Sequence, residues 1–207
     1  VPFGDSFVGW NTLRMEADTF NTLNIVDSNF ENPRELSRRK SPPQGGEIRL
    51  LRDPSIFRVY QNRLFVANKK DFIIDVFNKK GKMSYSIARE YKKLEVSATH
   101  KEGIMDYFRK DPRFRSFFER FKKRLRFPEY FPAIRDFCVD KGTLYVRTYK
   151  KTKGKSEFFL LSLEGKRLKT VFLPIVEKDG KESYPYIIKN ETVYQLVENS
   201  DEEWELH

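Results

Sequence analysis

The stretch RLFVANKKDFIIDVFNKKGK, Arg63 to Lys82, contains two short apolar strands joined by a polar turn and followed by a Lys-Gly turn. Its apolar segments LFVA and DFIIDVF are too dense for a sheet with one face in water, so they predict strands that are covered on both faces. Another alternating strand around Val59 precedes them, with a turn at Gln61 and Asn62. The stretch therefore belongs to a small antiparallel sheet made of consecutive hairpins.

The same order of strand, turn, strand, polar loop and strand recurs along the chain. The matched positions are Val59 with Val8, Val139 and Ile188, Asn62 with Asn11, Leu64 with Leu13 and Leu144, Val66 with Val146, Val76 with Ile25, Leu144 with Val193, and Tyr145 with Tyr194. Repeats of about 40–50 residues with about four short strands each are typical of β-propeller blades. A β-sandwich whose strands match by chance is the alternative. Recurrence of the same order in four copies favours the propeller.

We therefore predict an all-β fold, a β-propeller with about four visible blades and one α-helical insertion. The predicted units span residues 1–45, 46–97, 131–176 and 177–207, and the insertion spans 98–130. Fourth strands are predicted after Gly81 and Gly165, whereas the last unit stops at its third strand near Trp204 to Leu206. Val1 to Phe3 is expected to complete that last sheet. Arg38 to Gly46, rich in Pro and Gly, is expected to be a mobile linker.

The pattern of Asp140 to Lys166, D-x-G-x-LYV, then FF-x-L and GK, resembles the blades of NHL-type and related bacterial six-bladed β-propellers. The opening stretch resembles them too, with Gln61 and Asn62 where Asp-Gly is usual in that family, and the last unit resembles the C-terminal blade of secreted bacterial members. The resemblance implies six blades and an extracytoplasmic, periplasmic or secreted, location in a bacterium.

Four visible blades leave open three arrangements: the C-terminal part of a longer propeller, self-association with another copy through open blade edges, or a true four-bladed form. We favour the first, because the chain begins at Val1 without an initiator Met.

The segment Ala98 to Tyr130 interrupts the repeat with a helical pattern. Apolar residues recur there at helical spacing, namely Phe114, Phe117, Phe118, Phe121 and Leu125. We predict an amphipathic helix with Asp111 as N-cap and Pro112 in its first turn, ending at Pro128, after a shorter helix around Lys101 to Lys110. We expect the Phe stripe to dock on the propeller and the basic face to be solvated. Docking on another protein, or on an anionic membrane or nucleic acid, is the alternative.

The net charge of +10 favours anionic partners. In a propeller, the loops between blades and those between second and third strands open on the same face, which would place the insertion beside Asn68 to Asp71 and Arg147 to Lys155. We predict a basic rim there as the binding surface. Its candidate residues are Asn68, Lys69, Lys70, Tyr149, Lys150, Lys151, Lys153, Lys155, Arg113, Arg120, Lys123 and Arg124.

The sequence contains no recognisable catalytic or metal-binding motif. Neither His100 nor His207 belongs to an H-E-x-x-H pattern, and no P-loop or G-x-S-x-G motif occurs. The single cysteine, Cys138, lies in an alternating apolar run and is predicted to be a buried structural thiol. We expect no cofactor and no metal ion, and no apolar run approaches the ~20 residues of a transmembrane helix.

The predicted function is a non-catalytic binding or scaffold module that meets a protein or an anionic ligand at its basic rim. The first alternative is a propeller enzyme, a lyase or hydrolase, whose site is shared with blades outside this chain, because propellers host binders and enzymes alike. The second alternative, nucleic-acid binding, is the less favoured use of the same positive charge.

Overall fold

A computed structural model describes residues 1–15, 18–41, 46–51, 55–178 and 182–207. The strands are β1 (Pro2–Phe3), β2 (Ser6–Met15), β3 (Asp18–Asp27), β4 (Arg34–Lys40), β5 (Ile48–Arg49), β6 (Ile56–Tyr60), β7 (Arg63–Ala67), β8 (Phe72–Asn78), β9 (Met83–Arg89), β10 (Leu125–Arg126), β11 (Asp136–Asp140), β12 (Thr143–Thr152), β13 (Lys155–Ser162), β14 (Arg167–Leu173), β15 (Glu177–Lys178), β16 (Glu182–Ser183), β17 (Tyr186–Lys189), β18 (Thr192–Glu198) and β19 (Trp204–Leu206). The helices are α1 (Ala98–Lys110) and α2 (Pro112–Phe121), and a 3₁₀ turn follows at Lys122–Arg124.

The strands form four consecutive antiparallel sheets in a propeller arrangement, which confirms the predicted fold class. Blade 1 is β1 to β4, blade 2 is β6 to β9, blade 3 is β11 to β14, and blade 4 is β17 to β19. Each blade is ordered as in the sequence, from an inner first strand outwards. The three strands of blade 4 agree with the predicted end of the last unit.

The turn between the first two strands is alike in blades 2, 3 and 4. Its two central residues have positive φ, at 46° and 57° in blade 2, 46° and 76° in blade 3, and 52° and 63° in blade 4. These pairs are Gln61–Asn62, Lys141–Gly142 and Asn190–Glu191. Two positive φ values match a type I′ hairpin turn, whose twist suits the flanking strands. The turns predicted for blades 2, 3 and 4 are therefore confirmed.

The core consists of apolar layers between successive blades. Blades 1 and 2 share one that includes Phe3, Val8, Leu23, Ile25, Leu64, Val66 and Phe77. Blades 2 and 3 share one that includes Phe65, Ile74, Val76, Phe137, Leu144, Val146 and Leu161. Blades 3 and 4 share Tyr145, Phe158, Leu160, Ile175 and Ile188. Both faces of blades 2 and 3 are covered, as their dense strands predict.

The predicted match of the first unit is wrong for its first two strands. Strand β2 runs through Asn11 without a turn, and the turn that corresponds to Gln61 and Asn62 begins at Gly4, whose φ is +60°. Val8 therefore occupies the position of Phe65. The match of Val76 with Ile25 in the third strand agrees with the structure. Alternation repeats every two residues, so it did not distinguish this register from a shifted one.

Two predicted connections also differ from the structure. Pro2–Phe3 pairs with β2 of blade 1 and not with blade 4, because Phe3 is buried between blades 1 and 2. Arg38 to Lys40, expected to begin a linker, belongs to β4 and hydrogen-bonds to β3. Residues 42–45 of the same segment lie outside the described residues.

The insertion forms a helical hairpin, which confirms its predicted helical character. Asp111 caps α2 by accepting from the amide of Arg113 at 2.9 Å, as predicted, but the helix ends at Phe121 and not at Pro128. It ends early because Leu125–Arg126 pairs with β5 as a short parallel strand. Among the residues that the structure describes, the ring contacts of the Phe stripe join α2 to α1, for example Phe114 to Tyr107 at 5.7 Å, and none joins it to a blade.

Candidate binding groove beneath the helical hairpin

The helical hairpin stands on a short hydrogen-bonded base between blades 2 and 3. The amide of Val96 donates to the carbonyl of Glu129, and that of Phe131 donates to the carbonyl of Leu94, both at 2.9 Å. These bonds hold the two ends of the insertion side by side. The base therefore fixes where α1 leaves the blades.

The insertion lies beside the loops of blades 2 and 3 that the sequence pattern placed next to it. The amide of Ala133 donates to the carbonyl of Lys70 at 2.9 Å on the blade 2 side. On the blade 3 side, the ring of Phe131 stacks on Tyr149 with centroids 4.6 Å apart. Both loops therefore open on the rim that carries the hairpin.

A groove of about 660 Å³ lies between α1 and blade 3. Its apolar walls come from separate parts of the chain, namely Leu50, Leu51, Leu94, Ile104, Tyr107, Phe108, Phe131 and Tyr149. Its polar side chains are Thr99, His100, Arg135, Lys150 and Lys151. A cavity of this size, mostly apolar with a few polar groups, is typical of a ligand-binding site.

Aromatic contacts hold α1 against blade 3 at this groove. The edge of His100 on α1 meets Phe131 at 5.0 Å, and Phe131 in turn stacks on Tyr149 of β12. The guanidinium of Arg135 lies 5.3 Å from the centre of the Tyr149 ring. The rings of His100, Phe131 and Tyr149 thus contact one another in that order, and the guanidinium of Arg135 lies over the last of them.

Two cations that line the groove, Arg135 and Lys151, share a single carboxylate with Arg147, which is buried and does not line it. Glu177 of β15 accepts from Arg135 at 2.6 Å, from Arg147 at 2.7 Å and from Lys151 at 2.6 Å. Arg147 also donates to Ser156 at 2.8 Å and to Ser183. We call Arg135, Arg147, Lys151 and Glu177 the cationic cluster. It contains three positive charges and one negative charge, so it favours an anion nearby.

The protonation states of the cationic cluster follow from its burial and its charges. Burial opposes ionisation of Glu177, but the hydrogen bond from Lys151 and the charge of Arg135 outweigh it and lower the pKa of the carboxyl group. Burial, reinforced by the charge of Arg135, lowers the pKa of Arg147. Burial raises the pKa of Tyr149. Glu177 is therefore ionised and Tyr149 neutral at neutral pH.

The structure brings three of the predicted rim residues to the groove, namely Tyr149, Lys150 and Lys151. Lys150 pairs with Glu157 at 3.2 Å, and Lys151 pairs with Glu177. The lysines are half in water while their partners are buried, so their charges face the groove mouth.

The predicted residues of blade 2 lie apart from this groove. The side-chain amide of Asn68 donates to the hydroxyl of Ser37, and Lys69 pairs with Asp75 at 2.9 Å. Lys70 lines a neighbouring cavity of about 500 Å³. Asn68 and Lys69 thus join their loop to the surrounding strands.

The remaining predicted residues do not line the groove, namely Lys153, Lys155, Arg113, Arg120, Lys123 and Arg124. Lys153 lies in the exposed turn at the tip of the β12–β13 hairpin. Arg113 pairs with Asp111 at 2.5 Å, and Arg124 donates to the carbonyl of Gly46 at 2.9 Å. These six residues therefore lie outside the groove.

Sequence reasoning missed most of the groove walls. Ile104, Tyr107 and Phe108 recur at helical spacing on α1, and this signal alone indicated an apolar face there. Leu50 and Arg135 carry no comparable signal, because they lie far apart in the sequence and meet the groove only after the blades stack.

A second polar cluster joins the inner strands of three blades. Asp136 of β11 accepts from Arg58 of β6 and from the hydroxyl of Tyr186 of β17, both at 2.9 Å. Burial, with the charge of Asp136, raises the pKa of Tyr186, so its hydroxyl keeps its proton. Burial, again with Asp136, raises the pKa of the half-buried Cys138 to about 12, which suits a structural thiol. The Asp136 carboxylate thus forms an ion pair with Arg58 and accepts a hydrogen bond from Tyr186, so this cluster joins the three blades.

No family model matches this chain, and no curated protein matches it. Within the described residues no group of three or more His, Cys, Asp or Glu side chains is placed to hold a metal ion. None of the helices in those residues is long and apolar enough to cross a membrane.

Proposed function

We propose that this chain is a non-catalytic binding module whose groove captures an acidic segment of a partner protein. An apolar side chain of that segment would lie between α1 and Tyr149, and its carboxylates would meet Lys150, Lys151 and Arg135. The observation that supports this proposal is an apolar groove lined by Arg135, Lys150 and Lys151, two of which share the carboxylate of Glu177.

A protein segment fits the groove better than a polyanion does. Nucleic acids bind mainly through many cations that follow the phosphate backbone. Here Lys150 and Lys151 line the groove, whereas the arginines of α2 do not. Apolar walls contribute little to binding phosphates, but they can bury one large side chain, worth about 1.5–3 kcal/mol. We also propose, on the sequence resemblance, an NHL-type propeller in an extracytoplasmic bacterial setting.

The test uses fluorescence polarisation with two labelled peptides that differ only in charge. One carries Leu and Phe flanked by Glu, and the other has Lys in place of each Glu. We expect the acidic peptide to bind and the basic one not to bind. Ile104→Lys in the groove wall should weaken binding by at least about tenfold, because it places a charge where the anchor side chain lies.

Arg120→Glu on α2 is the matched control and should leave binding unchanged, since Arg120 does not line the groove. If Ile104→Lys and wild type bind the acidic peptide equally, the groove is not the site. If labelled duplex DNA binds with a steep salt dependence and the acidic peptide does not bind, the proposal is wrong and the chain is a nucleic-acid-binding protein.

A further inference from the structure

The outer face of blade 4 is apolar and exposed. In the strand register of blade 4, Ile187 is opposite Tyr194 and Leu196 is opposite Leu206. These side chains therefore lie on one face of the sheet, together with Trp204. Ile187 is 58% exposed, Trp204 57% and Leu206 68%. An apolar patch of this kind on a monomer typically marks an interaction surface.

This face repeats an interface that the propeller already uses. Tyr145 of blade 3 points towards blade 4 and is 6% exposed, packed with Phe158 and Leu160. Tyr194 is at the equivalent position of blade 4, because both tyrosines are the third residue after the turn between the first two strands. It is 37% exposed. The other side of the same strand, including Val193, packs on blade 3. Blade 4 thus presents a tyrosine at the position that blade 3 uses to bind the next blade.

Blade 1 has the complementary open face. Phe7, Leu13, Phe20 and Val26 lie on the side of β2 and β3 opposite to blade 2, because they alternate with the buried residues of that sheet. Phe30 adds a ring that stacks on Phe7 at 4.8 Å and is itself exposed. Within the described residues, no core layer covers this face.

Charge at the outer edges matches the same pairing. The outer strand of blade 1 has a net positive charge, with Arg34, Arg38, Arg39 and Lys40 against Glu35. Arg38 pairs with Glu35 and Lys40 with Asp18 of β3, and Arg34 lies beside Gly81 of blade 2. The outer hairpin of blade 4 is acidic, with Glu198, Asp201, Glu202, Glu203 and Glu205. Blade-to-blade stacking puts outer strand beside outer strand, so an edge of net positive charge would lie beside one of net negative charge.

We propose that the outer face of blade 4 packs on the outer face of blade 1 in a second copy of this chain. The contact continues the blade-to-blade interface from one copy to the next and does not depend on the groove. It is head to tail, so copies form a ring if the rotation closes and a filament if it does not.

The test combines light scattering after size exclusion with charge variants of each face. Wild type should associate as its concentration rises, and the emission of Trp204 should shift to the blue as its face is covered. Leu196→Glu on blade 4 and Leu13→Glu on blade 1 should each weaken association by at least about tenfold. Leu168→Glu, on the exposed outer strand of blade 3, is the matched control and should associate like wild type.

Mixing the two face variants tests the head-to-tail geometry. Each variant keeps the face that the other has lost, so the mixture should form a one-to-one complex although neither variant associates alone. A monomeric wild type at every concentration would overturn the proposal. So would a Leu13→Glu variant that associates like wild type, since the contact would then involve blade 4 alone. Because the complex requires one intact face from each variant, its formation also shows that both variants are folded.

Discussion

Glu177 is the residue on which the cationic cluster depends. Its carboxylate is the shared acceptor for Arg135, Arg147 and Lys151, and Arg147 is almost fully buried. Burying an arginine is costly unless its charge is matched and its hydrogen-bond donors are satisfied. If Glu177 loses its charge, the buried arginine has no counter-charge, and the network then lowers the free energy of unfolding.

We predict that Glu177→Gln lowers the free energy of unfolding by about 3 kcal/mol at neutral pH, because it leaves buried cations without a counter-charge. The pKa of Glu177 is lowered in the folded state, so its stabilising effect is present above the unfolded pKa, about 4.3, and is lost as pH falls through the folded value. Urea unfolding of both proteins across the acidic range measures this difference.

Glu203→Gln is the control for that measurement, since Glu203 is exposed in the outer hairpin of blade 4. It should leave stability nearly unchanged at neutral pH. A difference between wild type and Glu177→Gln that does not shrink towards low pH would show that the loss comes from packing and not from charge.

The turns between first and second strands act at the scale of one hairpin. Glu191 adopts φ of 63°, in the left-handed region that costs a non-glycine residue roughly 1–2 kcal/mol. The equivalent position in blade 3 is Gly142. Blade 4 therefore keeps a turn that its sequence does not favour.

We predict that Glu191→Gly raises the free energy of unfolding by about 1 kcal/mol, because glycine adopts positive φ without the steric cost. Thermal and urea unfolding measure the change. Lys189→Gly, in β17 of the same hairpin, should instead destabilise by about 0.5–1 kcal/mol, since the backbone there is extended. Equal effects at both positions would contradict the argument from the turn.

The helical hairpin is an element with its own small core. Phe118 is the buried residue of α2, whereas Phe114, Phe117 and Phe121 are half-buried against one another and α1. The helices are held to the blades mainly at their base and along the groove. They are therefore expected to open locally while the blades stay folded.

We predict that Phe118→Ala lowers the free energy of local opening of α1 and α2 by about 3 kcal/mol, because it removes the buried ring that joins the helices. Amide hydrogen exchange should speed up across both helices and remain unchanged in β12 and β13. Ser116→Ala, on the exposed face of α2, is the control. Faster exchange throughout the blades would show that the hairpin and the propeller unfold together.

At the scale of the whole molecule, buried phenols and a thiol make the fold sensitive to alkali. Burial raises the pKa of Tyr149, Tyr186 and Cys138 in the folded state. The folded protein then holds more protons than the unfolded chain at high pH. Stability must fall as pH rises through the unfolded pKa values.

We predict a fall in the free energy of unfolding that begins above about pH 8.5, where the unfolded cysteine ionises, and steepens above about pH 10, where the unfolded tyrosines do. Cys138→Ala should remove the first part of the fall and keep the second. Urea unfolding at a series of alkaline pH values measures both. A flat profile up to about pH 11 would contradict the assigned burial of these groups.

Local sequence patterns are enough to predict the strands and turns of blades 2 to 4 and the place of the helical insertion. These follow from local rules: alternation sets which residues of β7, β8 and β13 are buried, Gly and Asn mark the turns, and Asp111 caps α2. The register of blade 1 did not follow, because a shift by an even number of residues preserves the same alternation.

The residues that form the groove and the blade faces that stay open become visible only in the packed fold. Arg135, Arg147 and Lys151 meet Glu177 because blade 3 stacks on the segment that leads to blade 4, and Leu50 reaches α1 because β5 pairs with β10. Such contacts join residues distant in the chain. They depend on how rigid blades pack, which local hydrophobic patterns do not encode.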